Sequence, residues 1–369
     1  MKIYLFYHSI ISDWNHGNAH FLRGIVRSLL KQNHEVIVYE PSNGWSLNQL
    51  MKERSFRVIS DFGRDFPELT PRFYNIDYFT PEKQLSDADV VIVHEWNSPK
   101  LVKNIGDYRA VNDHFSLFFH DTHHRSVTNP QAMARYDLKN YDGVLAFGEV
   151  ISNIYKSNQW SRRVFTWHEA ADVSCFYPRK STKPWQGDLV WIGNWGDNER
   201  TEELREFIIE PVKELNLKAV FYGVQYPENA VRMLEKNGIE YRGWLPNRKV
   251  PEVFSRFRLT VHVPRRPYVK NLPGIPTIRP FEALASGIPL ACSWWEDSEN
   301  LFTPGKDYLV ARNGEEMKSN INRILNDKQF RKELIHNGQQ AIRNRHSCDH
   351  RVTQLLDIIN QVKKKKTAA

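Results

Sequence analysis

Four short stretches hold side chains of the kinds that do chemistry. In "LFFHDTHHRS", His120 and Asp121 are followed closely by His123, His124 and Arg125. An imidazole next to a carboxylate can shuttle a proton or close a strand as a hydrogen-bonded pair. Neighbouring residues on an extended chain face opposite ways, so this run does not converge on one metal ion. "DWNHGNAHFLRG" places Gly17 between a strand and a helix, where the backbone can approach a phosphate or sugar and the helix start offers free N–H groups. It lacks the GxGxxG spacing of a dinucleotide site. "WIGNWGDNER" puts Arg200 at the opening of a helix. "VPRRPYVKNLPGIPTIRPFEALASG" joins Arg265, Arg266 and Lys270 to a Pro- and Gly-rich loop of the sort that cradles a diphosphate, and it ends in Glu282. Glu282 is expected in the first turn of a helix, where an acid complements the N-terminal partial charge. Asp87-Ala88-Asp89 has the spacing of a DxD metal chelate, but it precedes a buried strand instead of ending one and reads as a turn.

The elements that must position these residues alternate along the chain. Residues 2–7, 34–39, 88–93, 115–119, 143–147 and 164–167 read as strands, mostly continuous apolar runs. Between the first two, Phe21, Leu22, Ile25, Val26, Leu29 and Leu30 share one helical face. Such strands separated by helices predict a parallel sheet covered on both sides. Residues 42–82 show no clear element. "YPRKSTKPWQG", rich in Pro, Lys and Ser, reads as an interdomain linker. The pattern then restarts, with strands over 189–192, 219–222, 259–263, 290–292 and 308–310 and a long helix over 199–215. Shorter helices are expected over 229–237 and 251–257, then at "RPFEALAS", with two charged ones after the last strand. The final helix aligns Val352, Leu355, Ile359 and Val362, so it must dock, and the expectation is that it packs back on the first domain. The fold class is therefore α/β. Two doubly wound, Rossmann-like domains, 1–177 and 188–345, are expected to face a cleft at the carboxyl ends of their sheets, with a helix and basic tail at 346–369.

The totals set outer bounds. At 369 residues, with 41% hydrophobic and 25% charged, the chain suits two globular domains. No apolar run reaches membrane-spanning length. The opening strand pattern gives no sign of a signal peptide, and three scattered cysteines without zinc spacing fit a reducing cytoplasm. A net charge of +8, partly from the lysines at 363–366, favours an anionic ligand, an acidic polymer or a peripheral membrane contact. The 11 Trp and 15 Tyr could form platforms for sugars or for bases.

Taken in order, the motifs resemble the GT-B glycosyltransferases, in particular the retaining family-four-like group and its CgeB-like (spore protein) branch. "HGNAHFLRGIVRSLLKQNHEVIVYEP" is similar to that group's opening loop, helix and second strand, and "FFHD" to its strand ending in His-Asp. "YDGVLAFGEVISNIYK", "EAADVSCFYP", "RPFEALASGIPLACS" and "RHSCDHRVTQLL" resemble later segments, so the likeness covers nearly the whole chain. It implies transfer of a sugar, with retained configuration and no metal, from a nucleotide-diphosphate donor to a glycan, lipid or protein acceptor. It further implies that Glu282 holds the ribose hydroxyls, since a carboxylate accepts two hydrogen bonds from a vicinal diol. Arg200, Asn194, Arg265, Lys270 and the loop Gly274, Ile275, Pro276 and Thr277 would take the diphosphate. Gly17 and the pair His120 and Asp121 would approach from the first domain. Gly274 stands where the group usually has a further Glu. Three other roles fit the same residues: a non-catalytic coat or assembly protein, a nucleotide-sugar epimerase of the same fold, and a nucleic-acid binder. For the last, no binding module is recognisable, and no nucleic-acid partner is expected.

Overall fold

The computed structural model describes residues 1–196 and 198–367, with only the backbone described at 365–367, so the basic run at 363–366 is covered as far as Lys364. The chain divides into two compact units, Met1–Glu169 with Cys348–Ala369, and Ala170–Ser347. The stretch 177–186 falls within the second unit's range and carries no helix or strand.

The first unit is built on β1 (Lys2–Phe6), β2 (Glu35–Pro41), β3 (Arg72–Tyr74), β4 (Val90–His94), β5 (Ser116–Asp121), β6 (Gly143–Ala146) and β7 (Val164–Thr166). These form one parallel sheet in the order β3-β2-β1-β4-β5-β6-β7. Every residue of β4 and β5 is buried, as expected for strands covered on both faces. The expected helical face is realised in Ala19–Lys31, where Phe21, Leu22, Ile25, Val26 and Leu29 are buried. The last helix, Cys348–Thr367, packs on Ala19–Lys31 and buries Val352, Leu355, Ile359 and Val362. It is keyed there by polar bonds: Ser28 donates to Asp349 at 2.6 Å, Trp167 Nε1 to the Arg351 carbonyl at 2.8 Å, and Arg351 Nε to the His168 carbonyl at 3.0 Å.

The stretch 42–82, unassigned from sequence, contains the helices Trp45–Arg54 and Arg57–Asp65 and the edge strand β3.

The second unit repeats the plan with β8 (Gly187–Ile192), β9 (Ala219–Tyr222), β10 (Glu240–Tyr241), β11 (Phe257–His262), β12 (Leu290–Ser293) and β13 (Leu309–Ala311), ordered β10-β9-β8-β11-β12-β13 and all parallel. The helix expected over 199–215 is instead Thr201–Leu204, a π-turn Arg205–Ile209 and Glu210–Glu214. Pro211 supplies the cause: its ring lacks an N–H and crowds the carbonyl four residues back, so the preceding turn widens. Part of the expected basic loop is a short helix, Arg266–Asn271.

Strand order reverses between β1 and β4 in one unit and between β8 and β11 in the other. Open α/β sheets bind ligands beside the carboxyl ends of such strands.

Candidate functional site

In the first unit the β1–helix loop is shaped by two buried polar side chains, Glu40 and Arg23. Glu40, in β2, accepts from Ser9 Oγ at 2.6 Å and from the N–H groups of Ile10 and Ile11 at 2.9 and 3.3 Å. Burial pushes its carboxyl up to about 7. Arg23 donates to the carbonyls of Ile10 and Ile11, both at 2.7 Å, and to Asp13 at 3.2 Å. The loop that ends in Gly17, which is exposed, is therefore held by side chains from below.

His120 and Asp121 are the last two residues of β5 and not the start of the following loop. The apolar run ends earlier than the ladder does, which still pairs His120 with Leu145 and Asp121 with Ala146. His120 is buried against Trp167, with centroids 4.8 Å apart, and His94, at 5.3 Å. Both its ring nitrogens lack a hydrogen-bond partner, and burial pushes it down to about 3, so the ring is neutral. Asp121 does not orient it. The two side chains leave the strand on opposite faces, and Asp121 accepts from the Tyr155 hydroxyl at 2.9 Å and the His123 N–H at 3.1 Å. Sequence reasoning missed His94, which lies opposite His120 in the register, and His8 just beyond β1. The signal was available: "VVIVHEW" ends its apolar run in polar residues as "LFFHD" does. Among the described residues no three His, Cys, Asp or Glu side chains are grouped to hold a metal ion. Asp87 and Asp89 lie at the amino ends of the strands, where Asp87 accepts from Lys2 Nζ at 2.6 Å and Asp89 from the Lys2 N–H at 2.7 Å.

In the second unit Arg200 joins the two strands flanking the reversal. Its guanidinium donates to the carbonyls of Asn194 and Trp195, beyond β8, and to that of Val263, beyond β11, at 2.8 Å. It lies over the Trp191 ring at 5.0 Å. Among the described residues it has no carboxylate partner, and burial, reinforced by Arg265 and Arg279, pulls it down to about 9. Five N–H donors and three carbonyl bonds leave two donors for an anion. Asn194 also has a structural task, accepting from the Val224 N–H at 3.1 Å. The close approach of these loops depends on Gly223, φ +154°, where a Cβ would stand 2.0 Å from the Gly193 carbonyl oxygen.

The loop before the Ile278–Ser286 helix is tightly specified. Gly274 has φ +85°, and a Cβ there would meet Glu299 Oε1 at 2.6 Å. Thr277, the residue before the helix, has φ +60°, strained for a β-branched side chain. Its hydroxyl lies 3.4 Å from His262 Nε2. Ile275 and Pro276 are buried. Arg265 pairs with Glu199 at 3.2 Å, whereas Lys270 is exposed.

Glu282 is the fifth residue of its helix, just past the expected first turn, because the helix begins one residue earlier, at Ile278. It is fully buried, accepts from Asn247 Nδ2 at 2.8 Å through one oxygen and pairs with Arg279 through the other. Asn247 and Arg279 were both missed. Arg279 stood in plain view three residues before Glu282, one helical turn away.

The sheet orders and the reversal in each unit give this chain the fold of GT-B glycosyltransferases. Sucrose-phosphate synthase from Thermosynechococcus elongatus is similar at TM-score 0.67 and 12% identity, covering 99% of this chain and 100% of that one. Anabaena HepE in complex with UDP is similar at TM-score 0.65 and 12% identity, covering 100% of both chains. T4 phage BGT in complex with its UDP-glucose substrate is similar at TM-score 0.60 and 13% identity, covering 98% and 99%; the phage protein also has a structure with UDP and Mn²⁺. Residues 200–357 match the model of a family described as glycosyl transferase-like, a span that opens at Arg200 and includes Glu282. No curated protein sequence matches the chain.

Proposed function

We propose that the protein is a glycosyltransferase that moves a sugar from a nucleotide-diphosphate donor to an acceptor, with retention and without a metal. The observation that carries this reading is Arg200, a buried guanidinium with no carboxylate partner among the described residues, at the point where the second sheet reverses. Arg279 and Arg265 lie close enough to depress it further. Fixed positive charge of this kind stabilises a departing diphosphate. The UDP and UDP-glucose complexes of similar folds make uridine nucleotides the first donors to test. In this reading Glu282 reaches the ribose when Arg279 turns toward the diphosphate, His120 meets the sugar, and Gly17 lets the loop approach. No helix among the described residues is long and apolar enough to cross a membrane. Cytoplasmic or peripheral membrane placement belongs to the same proposal.

Calorimetric titration tests the assignment. Arg200→Lys should weaken UDP binding about ten- to hundred-fold, the range of one lost charged hydrogen bond, and leave uridine binding unchanged. Equal losses for UDP and uridine, or none, would remove Arg200 from the diphosphate. Turnover should persist in EDTA, because guanidinium groups supply the charge. Loss on chelation with recovery in Mn²⁺ would give that role to a metal.

A further inference from the structure

An aromatic platform stands at the carboxyl ends of β1 and β4. His8 lies just beyond β1, Trp96 just beyond β4, and Trp45 opens the helix that follows β2. Gly44 brings that helix start against the strand end, since a Cβ there would crowd the Pro41 and His8 carbonyl oxygens at 3.3 and 3.5 Å. The His8 ring consequently stacks on Trp45, with centroids 4.9 Å apart and planes 27° apart. Trp96 lies 6.2 Å from Trp45 and 5.9 Å from His8, and Trp14 meets Trp45 edge-on at 6.1 Å. Trp14 is fixed in turn, its Nε1 donating to Glu53 at 2.9 Å and its carbonyl accepting from Ser46 at 2.6 Å. With His8 covering one face, Trp45 still exposes 41% of its surface. The platform is preformed and part of the Trp45 indole remains open to solvent.

Among the described residues, His8 Nε2 and Glu95 Oε1 are buried polar atoms near it that have no partner. His8 is 2% exposed and its Nε2 makes no hydrogen bond; Glu95 is fully buried and its Oε1 makes none. Glu95 pairs through its other oxygen with Arg125, whose guanidinium lies 4.2 Å over Trp96. That pairing cancels the local positive charge, so the platform does not select for phosphate. A pyranose has what is left to match. One face of the ring is a patch of C–H bonds with partial positive charge, suited to the negative face of an indole. Its edge carries hydroxyls, each able to donate to a carboxylate oxygen and to exchange a hydrogen bond with a neutral imidazole.

We propose that Trp45, Trp96, His8 and Glu95 form a saccharide-binding site. Within the transferase reading it is the acceptor site, and the acceptor is a glycan. Only that last assignment rests on the proposed function; saccharide binding does not.

The test is saturation-transfer NMR with cellotetraose, maltotetraose, chitotetraose and uridine on the wild type, Trp45→Ala and Trp45→Phe, with UDP titrated in parallel. At least one tetrasaccharide should bind the wild type, about ten-fold more weakly in Trp45→Ala and with an intermediate loss in Trp45→Phe, while UDP affinity and the melting temperature hold. No transfer to any tetrasaccharide, equal affinity in Trp45→Ala, or Trp45-dependent binding of uridine alone would overturn it. A Trp45-dependent tetrasaccharide in a protein that binds no nucleotide would uphold the site and sink the transferase reading instead.

Discussion

Glu282→Ala should destabilise the Ala170–Ser347 unit by about 3–5 kcal/mol, the usual loss when one partner of a buried ion pair is removed. The carboxylate is fully buried, and its removal leaves Arg279, whose side chain is only 15% exposed, and Asn247 without their acceptor. Glu282→Gln should cost less, because an amide oxygen still accepts one hydrogen bond. Urea unfolding followed by near-ultraviolet circular dichroism reads the difference. A wild-type midpoint in Glu282→Ala, with nucleotide affinity alone reduced, would mean that the acid serves a ligand and not the fold. The expected outcome couples the two: any weakening of nucleotide binding has to be measured well below the variant's lowered unfolding midpoint.

Acidification should loosen the first unit before the second. Burial holds His8 down at about 4, His120 at about 3, and His16 and His94 well below the ordinary imidazole value. The unfolded chain protonates all four near 6.5, so the stability they confer is complete above that pH and is lost as the pH falls toward 4. Glu40 and Asp121 act in the opposite sense. Burial pushes both up to about 7, so they keep a proton in the fold that the unfolded chain releases near 4, and their contribution declines as the pH rises toward 7. Four groups take up protons on unfolding and two release them. The net uptake approaches two only near pH 5.5 and below, where it amounts to about 3 kcal/mol per pH unit. From pH 6.5 to 4.5 this removes about 4 kcal/mol, a large share of the stability of an ordinary domain. Hydrogen-exchange protection factors of the β4 and β5 amides, compared at pH 7, 5.5 and 4.5, should fall by orders of magnitude. Constant protection would mean that the histidines are already hydrated and titrate normally.

How legible all this was depended on what a local pattern can encode. The central strands announced themselves because burial on both faces requires continuous apolar runs. Residues 42–82 did not, because each element there buries too few apolar side chains to set a period: Leu47 and Leu50 in Trp45–Arg54, Phe62 in Arg57–Asp65 and Tyr74 in β3. Site residues could be located at strand ends and helix starts, but not their partners. Arg200 binds the carbonyl of Val263, and Glu282 the amide of Asn247, 63 and 35 residues away in sequence. Backbone carbonyls leave no mark in a sequence at all. His120 and Asp121 do not form the hydrogen-bonded pair that their adjacency allows, because neighbours in the chain face opposite ways on a strand.

The last helix belongs to the first unit although the chain has by then traversed the whole of the second. The chain leaves the first unit at Glu169 and returns at Cys348, and the two passages lie side by side, with Ala171 bridged to Ser347. The second unit is thus an insertion. Its entire sequence is synthesised before Val352, Leu355 and Ile359 are added. The Ala19–Lys31 helix must wait with its outer face uncovered until residues 348–362 have been made. The first unit is begun before the second and closed after it, so the order of synthesis runs against the order of the fold.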